Sequence, residues 1–189
     1  MKVVDFFCGG GGFSEGFRQA GFEIVFAVDK WEPAIITYKG NKPGVNAVLD
    51  DVIRISNLPD DQFEALVPDS EVIIGSPPCQ SFSHSNKSGN ADKSIGIKLI
   101  KAYLKIIARK KYKKNSILKY WVLENVPSVK EYIEDEYTAE DLGLEGSFGS
   151  IVIRDSRFVN EFHILKATCK FCTRLSTFVM TFPFFPLLL

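Results

Sequence analysis

Short apolar runs alternate along the chain with segments whose apolar residues recur at helical spacing. Such runs predict strands. The last two runs are almost continuously apolar, which is typical of strands that helices cover on both faces. The predicted strands occupy residues 2–8, 23–29, 46–50, 71–76 and 120–126.

The segments after the first, second and fourth of these runs predict helices. Ile97, Ile100, Leu104 and Ile107 form an apolar stripe, and the lysines at 98, 101 and 105 lie on another face. Strands that alternate with helices favour a doubly wound, mostly parallel α/β sheet, in which ligands sit beyond the carboxyl ends of the strands. The polar segment at residues 87–92 is expected to be a mobile loop.

The composition predicts one ordinary globular domain. The chain has 189 residues, of which 46% are apolar, and its 23 basic residues balance 23 acidic ones. No overall charge therefore indicates a nucleic-acid or membrane partner. The apolar segment at residues 178–189 is broken by two prolines and is shorter than a membrane span. We expect a cytoplasmic protein with no membrane partner, whose four cysteines stay reduced.

Cys79 follows two prolines at the end of the fourth predicted strand, in the segment GSPPCQSFS. Proline fixes φ and cannot donate to a sheet ladder, so the strand ends there and Cys79 lies on a stiff loop. Most free cysteines are small buried hydrophobes. A thiol whose pKa is lowered by its site is instead a potent nucleophile. The sequence of this loop alone leaves both interpretations open.

Four glycines, at residues 9–12, follow the first predicted strand. They let the backbone approach a ligand closely, and the following helix offers free N–H groups. The fingerprint G-x-G-x-x-G is absent, because Ser14 or Glu15 stands where its last glycine would fall, which disfavours a pyrophosphate cofactor. Asp29 ends the second strand, where a carboxylate can accept ribose hydroxyls. S-adenosylmethionine has that ribose and no phosphate, and a tight turn without a ligand is the alternative.

Glu124 and Asn125 close the apolar run YWVL and precede Val126-Pro127. A carboxylate at this position is either a solvated strand end or a proton donor. Asn125 can simply orient the turn before the proline. Neither residue by itself indicates an enzyme.

Three segments taken together resemble the DNA cytosine-5 methyltransferases: DFFCGGGGFSEGF at 5–17, GSPPCQSFS at 75–83 and LENVPSV at 123–129. The resemblance covers residues 1–168, the first part of the large domain of that family. It implies an incomplete Rossmann-like, S-adenosylmethionine-dependent methyltransferase fold. It further implies methyl transfer to C5 of a cytosine flipped out of duplex DNA, in a restriction-modification system with a partner nuclease.

The same resemblance implies roles for individual residues. Cys79 would add to C6 of the cytosine, and Glu124 would hold a proton against N3. In the cofactor site, Phe7 would lie against the adenine, the backbone of Gly9 and Gly11 near the methionine part, Asp29 on the ribose, Asp51 on the adenine amine, and Pro78 in the wall between cofactor and base. Gln80, Ser81 and Asn125 are the implied substrate-positioning residues.

The resemblance ends after Thr168. The Gln-x-Arg-x-Arg motif and the target-recognition region of the family are not found in the sequence. We expect residues 1–168 to form a partial catalytic domain and residues 169–189 to be an apolar tail left by a frame change or a truncated gene model. Cys169 and Cys172 have metal-ligand spacing, but a lone C-x-x-C does not predict a metal site.

Other interpretations remain open. The basic run at residues 109–114 is either a solvated helix end, which the helix dipole favours, or a phosphate contact. A methyltransferase acting on transfer RNA and a cofactor-binding fragment without turnover are alternatives to the DNA enzyme. A nicotinamide oxidoreductase is disfavoured by the broken glycine fingerprint.

Overall fold

The computed structural model describes residues 1–79, 82, 93–145, 151–152 and 177–181 of the chain. Its strands and helices are, in chain order, β1 (Lys2–Phe6), α1 (Gly12–Gln19), β2 (Glu23–Asp29), α2 (Glu32–Asn41), β3 (Asn46–Leu49), α3 (Val52–Ser56), α4 (Asp60–Leu66), β4 (Val72–Gly75), α5 (Lys93–Tyr112), β5 (Tyr120–Asn125), β6 (Glu136–Tyr137), β7 (Ile151–Val152) and β8 (Thr177–Thr181). A 3₁₀ turn, Pro127–Glu131, follows β5.

The main sheet has the strand order β3-β2-β1-β4-β5-β8. The first five of these strands are parallel, and β8 pairs with β5 in the antiparallel direction. Strands β6 and β7 form a separate antiparallel pair. The prediction of a doubly wound, mostly parallel α/β sheet is therefore confirmed.

Alternate residues of β1 face opposite layers of helices, because successive side chains of a strand point to opposite faces. Val4 and Phe6 belong to a hydrophobic cluster that includes residues of α3, α4 and α5. Val3 belongs to a second cluster, against which Phe13 and Phe17 of α1 pack. The central strands are thus covered on both faces, which explains their almost continuous apolar character.

The predicted strands are shorter in the structure by up to two residues, and the predicted amphipathic helix is α5. Its apolar stripe is buried, except that Ile97 is only partly buried. The lysine face is exposed or partly exposed, whereas other residues outside the stripe, including Ala102 and Tyr103, are buried as well. The short helices α3 and α4 were not predicted. The predicted mobile loop at 87–92 and the pair Cys169 and Cys172 lie outside the described residues.

The basic run at the end of α5 connects this helix to α3 and α4. Arg109 and Lys110 are only 8% and 3% exposed. Arg109 donates to the Ser56 carbonyl at 3.0 Å, and its guanidinium lies 3.8 Å from the centre of the Phe63 ring. Lys110 donates to the Val67 carbonyl at 2.6 Å. For these two residues the prediction of a solvated helix end is wrong, because α4 and the segment after it cover them.

In the described part of the chain, none of the helices has the combination of length and hydropathy that a bilayer span requires. Nor do the described residues contain a group of three or more His, Cys, Asp or Glu side chains that could hold a metal ion.

Candidate active site at the carboxyl edge of the sheet

The loops after β1 and β4 lie side by side at the point where the strand order reverses. β1 leads through α1 to β2 on one side, whereas β4 pairs with β1 on the other. The Ser76 amide donates to the Phe6 carbonyl at 3.3 Å, so the two loops leave the sheet together. Open α/β sheets bind ligands in the crevice at such a switch point.

The glycine loop after β1 is held in left-handed backbone conformations. Phe7, Gly9 and Gly11 have φ angles of 59°, 51° and 92°. A bulky residue such as Phe7 rarely adopts a positive φ, and such a conformation costs roughly 1–3 kcal/mol. A Cβ at Gly9 would meet nothing within 4 Å, whereas one at Gly11 would lie 3.1 Å from the Tyr38 ring. The loop is therefore open on the side of Gly9 and closely packed below Gly11.

Asp29, at the end of β2, fixes the start of this loop. Its Oδ2 accepts from the Gly9 amide and its Oδ1 from the Trp31 amide, each at 2.9 Å. A carboxylate has about four lone-pair sites, so each oxygen can accept a second hydrogen bond. Asn41, at the end of α2, donates to the Gly10 carbonyl at 3.0 Å. An open glycine backbone beside a fixed carboxylate suits a ribose-bearing cofactor, as the sequence predicts.

Asp51 is the N-cap of α3. Its Oδ1 accepts from the Ile53 amide at 2.7 Å, and its backbone is extended. An N-cap side chain satisfies a backbone donor that the helix leaves unpaired. The side chain is partly buried and lies after β3, next to the strand that carries Asp29. The structure thus gives Asp51 a structural function, and its contact with an adenine amine stays a prediction.

The loop after β4 is tied to the end of β5 by two side-chain hydrogen bonds. Ser76 Oγ donates to Glu124 Oε2 at 2.5 Å. Asn125 Nδ2 donates to the Pro77 carbonyl at 3.0 Å, while its Oδ1 accepts from the Val126 amide at 2.9 Å. The pairing of Gly75 with Leu123 sets this register. Pro77, two residues before Cys79, is thereby attached to the strand end that carries Glu124.

The next turn of the same loop is also anchored. The Phe82 amide donates to the Cys79 carbonyl at 2.9 Å, and Ser128 Oγ donates to the Phe82 carbonyl at 2.5 Å. The Phe82 ring is buried, and its centre lies 5.4 Å from that of the Tyr132 ring. Both sides of Cys79 are therefore connected to β5 and to the 3₁₀ turn that follows it.

The two described cysteines differ in environment. Cys79 is partly exposed, whereas Cys8 is buried below the glycine loop. Burial raises the pKa of the Cys8 thiol far above its usual range, and the carboxyl groups of Asp5 and Asp29 raise it further. Of this pair, only Cys79 has substantial access to solvent.

The remaining predicted site residues differ in how far they are buried. Phe7 is partly buried, with its ring centre 6.5 Å from that of Tyr103, and Pro78 is exposed. Gln80 and Ser81 lie outside the described residues. Asn125 is buried and uses its amide to hold the backbone, which is the simpler of its two predicted functions. Its predicted contact with the substrate is not tested by this arrangement.

Two sets of polar contacts at this edge are not predicted from the sequence. The contact between Ser76 and Glu124 depends on the pairing of β4 with β5, which the sequence does not reveal. Asp5, Ser14 and Tyr38 form a buried hydrogen-bonded group beneath the glycine loop. The acidic residue in the apolar run VVDFF was a visible indication of this second group.

The sequence matches a known protein family and several of its members. A family model described as C-5 cytosine-specific DNA methylase matches residues 1–141. The type II methyltransferase M.HgiGI of Herpetosiphon aurantiacus is 43% identical over 98 residues, which cover 51% of this chain and 71% of M.HgiGI. M.HgiDI, a type II methyltransferase of the same organism, is 38% identical over 160 residues, or 82% of this chain.

A solved structure is similar as well. It is that of a prophage-encoded E. coli protein described as a DNA modification methyltransferase, with 31% sequence identity and a TM-score of 0.51 over 68% of this chain. The chain spans 47% of M.HgiDI and 33% of the E. coli structure.

Proposed function

The chain belongs to the C-5 cytosine-specific DNA methylase family and has its Rossmann-like fold, with an incomplete sheet, and on this basis we propose that it carries the cofactor site, nucleophile and acid for methyl transfer to C5 of cytosine in DNA. One observation carries the proposal. The loop of Cys79 is tied to the strand end of Glu124 by the Ser76–Glu124 and Asn125–Pro77 hydrogen bonds, beside the open glycine loop.

Cys79 acts as the nucleophile in this mechanism. Its thiolate forms a bond to C6 of the cytosine and breaks the C5–C6 double bond, while Glu124 in its acid form gives a proton to N3. The electron pair gained by the ring makes C5 nucleophilic. After C5 is methylated, it loses its proton to a base, the Cys79 thiolate leaves C6, and Glu124 recovers its proton. Because C5 and C6 are stacked in duplex DNA, the base must be flipped out, which costs a few kcal/mol.

S-adenosylmethionine, when bound, supplies the methyl group. Gly9 leaves open space at the loop, and the fixed Asp29 carboxylate keeps acceptor capacity for ribose hydroxyls. Phe7 and Asp51 would bind the adenine, and the backbone of Gly11 would lie near the methionine part. Pro78 would separate the cofactor from the base, with Gln80, Ser81 and Asn125 positioning the substrate.

We place this activity in a restriction-modification system in the cytoplasm, where a nuclease is the partner. The names of M.HgiGI and M.HgiDI as type II methyltransferases support this assignment. Residues 1–168 would be a partial catalytic domain, and the segment 169–189, which includes β8, would lie outside the family pattern.

Transfer of labelled methyl groups tests the proposal directly. Incubation with labelled S-adenosylmethionine should label cytosine C5 in duplex DNA and should not label transfer RNA. Cys79→Ser should abolish the transfer, while the matched Cys8→Ser variant should retain it. Glu124→Gln should slow the transfer by about 10²–10⁴-fold, the range for loss of a positioned acid. Preferential labelling of transfer RNA, or full activity of Cys79→Ser, would contradict the assignment.

A second candidate is a fragment that binds S-adenosylmethionine without turnover. The chain spans less than half of M.HgiDI, and this observation favours it. Calorimetry separates the candidates: binding of S-adenosylmethionine without any transfer supports the fragment, whereas tight binding of NADH would contradict both.

A further inference from the structure

Asp5 is a carboxylic acid near the carboxyl end of the central strand β1, and it is completely buried. Its Oδ2 accepts from Ser14 Oγ at 2.5 Å. Its Oδ1 is the only buried side-chain nitrogen or oxygen in the described part of the chain without a hydrogen-bond partner. A buried charge normally requires full pairing, so this half-satisfied acid needs an explanation.

The hydrogen bond of Asp5 continues toward the glycine loop. Ser14, in the first turn of α1, also lies 2.7 Å from the Tyr38 hydroxyl of α2. Ser14 has one hydroxyl proton; when it donates to an ionised Asp5, the Tyr38 hydroxyl can donate to Ser14. The Tyr38 ring lies against Gly11 of the loop. Asp5, Ser14 and Tyr38 thus form a chain of polar groups directly beneath the loop, here called the buried polar chain.

The charged groups around Asp5 determine how it responds to a ligand. Burial raises its pKa to about 7, the Ser14 hydroxyl lowers it, the nearby Asp29 raises it, and Lys42 lowers it. Lys42 is itself paired with Glu15 of α1 at 2.5 Å. The other titratable groups facing Asp5 are Cys8 of the loop, Tyr38 of α2 and Tyr103 of α5.

Asp29 connects this buried acid to the crevice. It accepts from the Gly9 amide at the open side of the loop, and its charge opposes ionisation of Asp5. A positive charge bound in the same crevice acts in the opposite direction and favours ionised Asp5. S-adenosylmethionine carries such a charge on its sulfonium, whereas S-adenosylhomocysteine, its demethylated thioether, does not.

We propose that Asp5 is a positioning residue whose ionisation is coupled to binding of a cationic cofactor, so that the buried polar chain makes the site favour S-adenosylmethionine over its product, which lacks the sulfonium charge. The inference rests on the proposed function for the identity of the cofactor. Binding of the sulfonium releases a proton from Asp5 to solvent. By linkage, its affinity rises as pH increases through the range in which Asp5 titrates.

Calorimetric titrations between pH 6 and pH 8 test the coupling. The wild-type chain should bind S-adenosylmethionine at least about fivefold more tightly at the higher pH, the lower end of ordinary coupling between sites. Asp5→Asn keeps the shape of the side chain and removes its titration, so this increase should be lost. Any titration of the ligand's own amino group affects both proteins equally. The pH dependence of S-adenosylhomocysteine affinity should differ little between the wild type and Asp5→Asn.

Ser14→Ala provides a second variant that does not depend on the folding of Asp5→Asn. Loss of the Ser14 hydroxyl removes a donor to ionised Asp5, so the midpoint of the affinity change should move to higher pH. Measurements in two buffers of different ionisation enthalpy should detect the released proton with the wild type. Superimposable pH profiles for wild type and both variants would overturn the inference and leave the proposed function intact. Absence of S-adenosylmethionine binding at every pH would instead overturn the proposed cofactor site itself.

Discussion

Replacement of Gly75 by alanine tests the packing that places the Cys79 loop beside Glu124. Gly75 is the last residue of β4 and directly precedes Ser76. A Cβ on Gly75 would lie 2.5 Å from Cε2 and 2.8 Å from Cζ of the Tyr103 ring. Since real Cβ contacts are essentially never this short, either the ring or the strand end must move.

The Tyr103 ring has little room to retreat. It is completely buried, and its hydroxyl donates to the Val122 carbonyl at 2.7 Å, with the Ile73 carbonyl at 3.2 Å. The rings of Phe6 and Trp121 lie against it, with centres at 6.1 and 6.4 Å. Overpacking of this kind costs about 1–3 kcal/mol. In a chain of this size, that cost lowers the melting temperature by about 2–12 °C.

Thermal and urea unfolding followed by circular dichroism would measure the effect. Gly16→Ala is the matched control, because Gly16 is exposed in α1 and an added Cβ meets nothing within 4 Å. That variant should gain about 0.5–1 kcal/mol, the difference between Ala and Gly inside a helix. In a Tyr103→Leu background the Gly75→Ala cost should fall by at least about 0.5 kcal/mol, since neighbours couple. A Gly75→Ala protein as stable as wild type, or a cost that stays the same in the Tyr103→Leu background, would refute the reasoning.

Three further predictions concern reactivity, pH and charge. In the native protein, iodoacetamide should alkylate Cys79 much faster than buried Cys8, because burial raises the pKa of the Cys8 thiol. Peptide mass spectrometry measures the two alkylation rates. Faster labelling of Cys8 would contradict the assignment of Cys79 as the accessible thiol. Because the pKa of Asp5 is raised to about 7 in the fold, its stabilising contribution is complete below the unfolded value near 4 and is lost as pH rises through 7. Urea unfolding should show this loss, up to about 4 kcal/mol, in wild type and not in Asp5→Asn. Arg109→Met should lower the free energy of unfolding by about 1–3 kcal/mol, because the hydrogen bond to the Ser56 carbonyl is lost, and it should leave DNA affinity unchanged. Lys114 is exposed, so Lys114→Met should change neither stability nor DNA affinity.

Much of the sheet could be predicted because its strands are local apolar runs. The run at 23–29 corresponds to β2 with both ends correct, since Glu23 and Asp29 mark the change to polar residues. Helices α3 and α4 could not be found from periodicity, because they have only five and seven residues. Asp51 caps the start of α3, but the resemblance to the family implies only a cofactor contact for this residue.

Contacts between residues that lie far apart in the chain could not be predicted from the sequence. Arg109 and Lys110 were interpreted as a solvated helix end because their acidic partners, Asp60 and Glu64, lie more than forty positions away in the chain. In the candidate site, Cys79 and Glu124 were identified from their motifs. The hydrogen bond from Ser76 that connects their two strand ends follows only from the register of β4 and β5.

The most direct measurement of the central claim is covalent trapping of the chain on duplex DNA of varied sequence that contains 5-fluorocytosine. Fluorine at C5 prevents loss of a proton there, so the Cys79 adduct cannot be released. The account predicts a denaturation-resistant protein–DNA complex that requires S-adenosylmethionine, maps to Cys79, disappears in Cys79→Ser and persists in Cys8→Ser. A complex that maps to another residue, or that survives in Cys79→Ser, would contradict it.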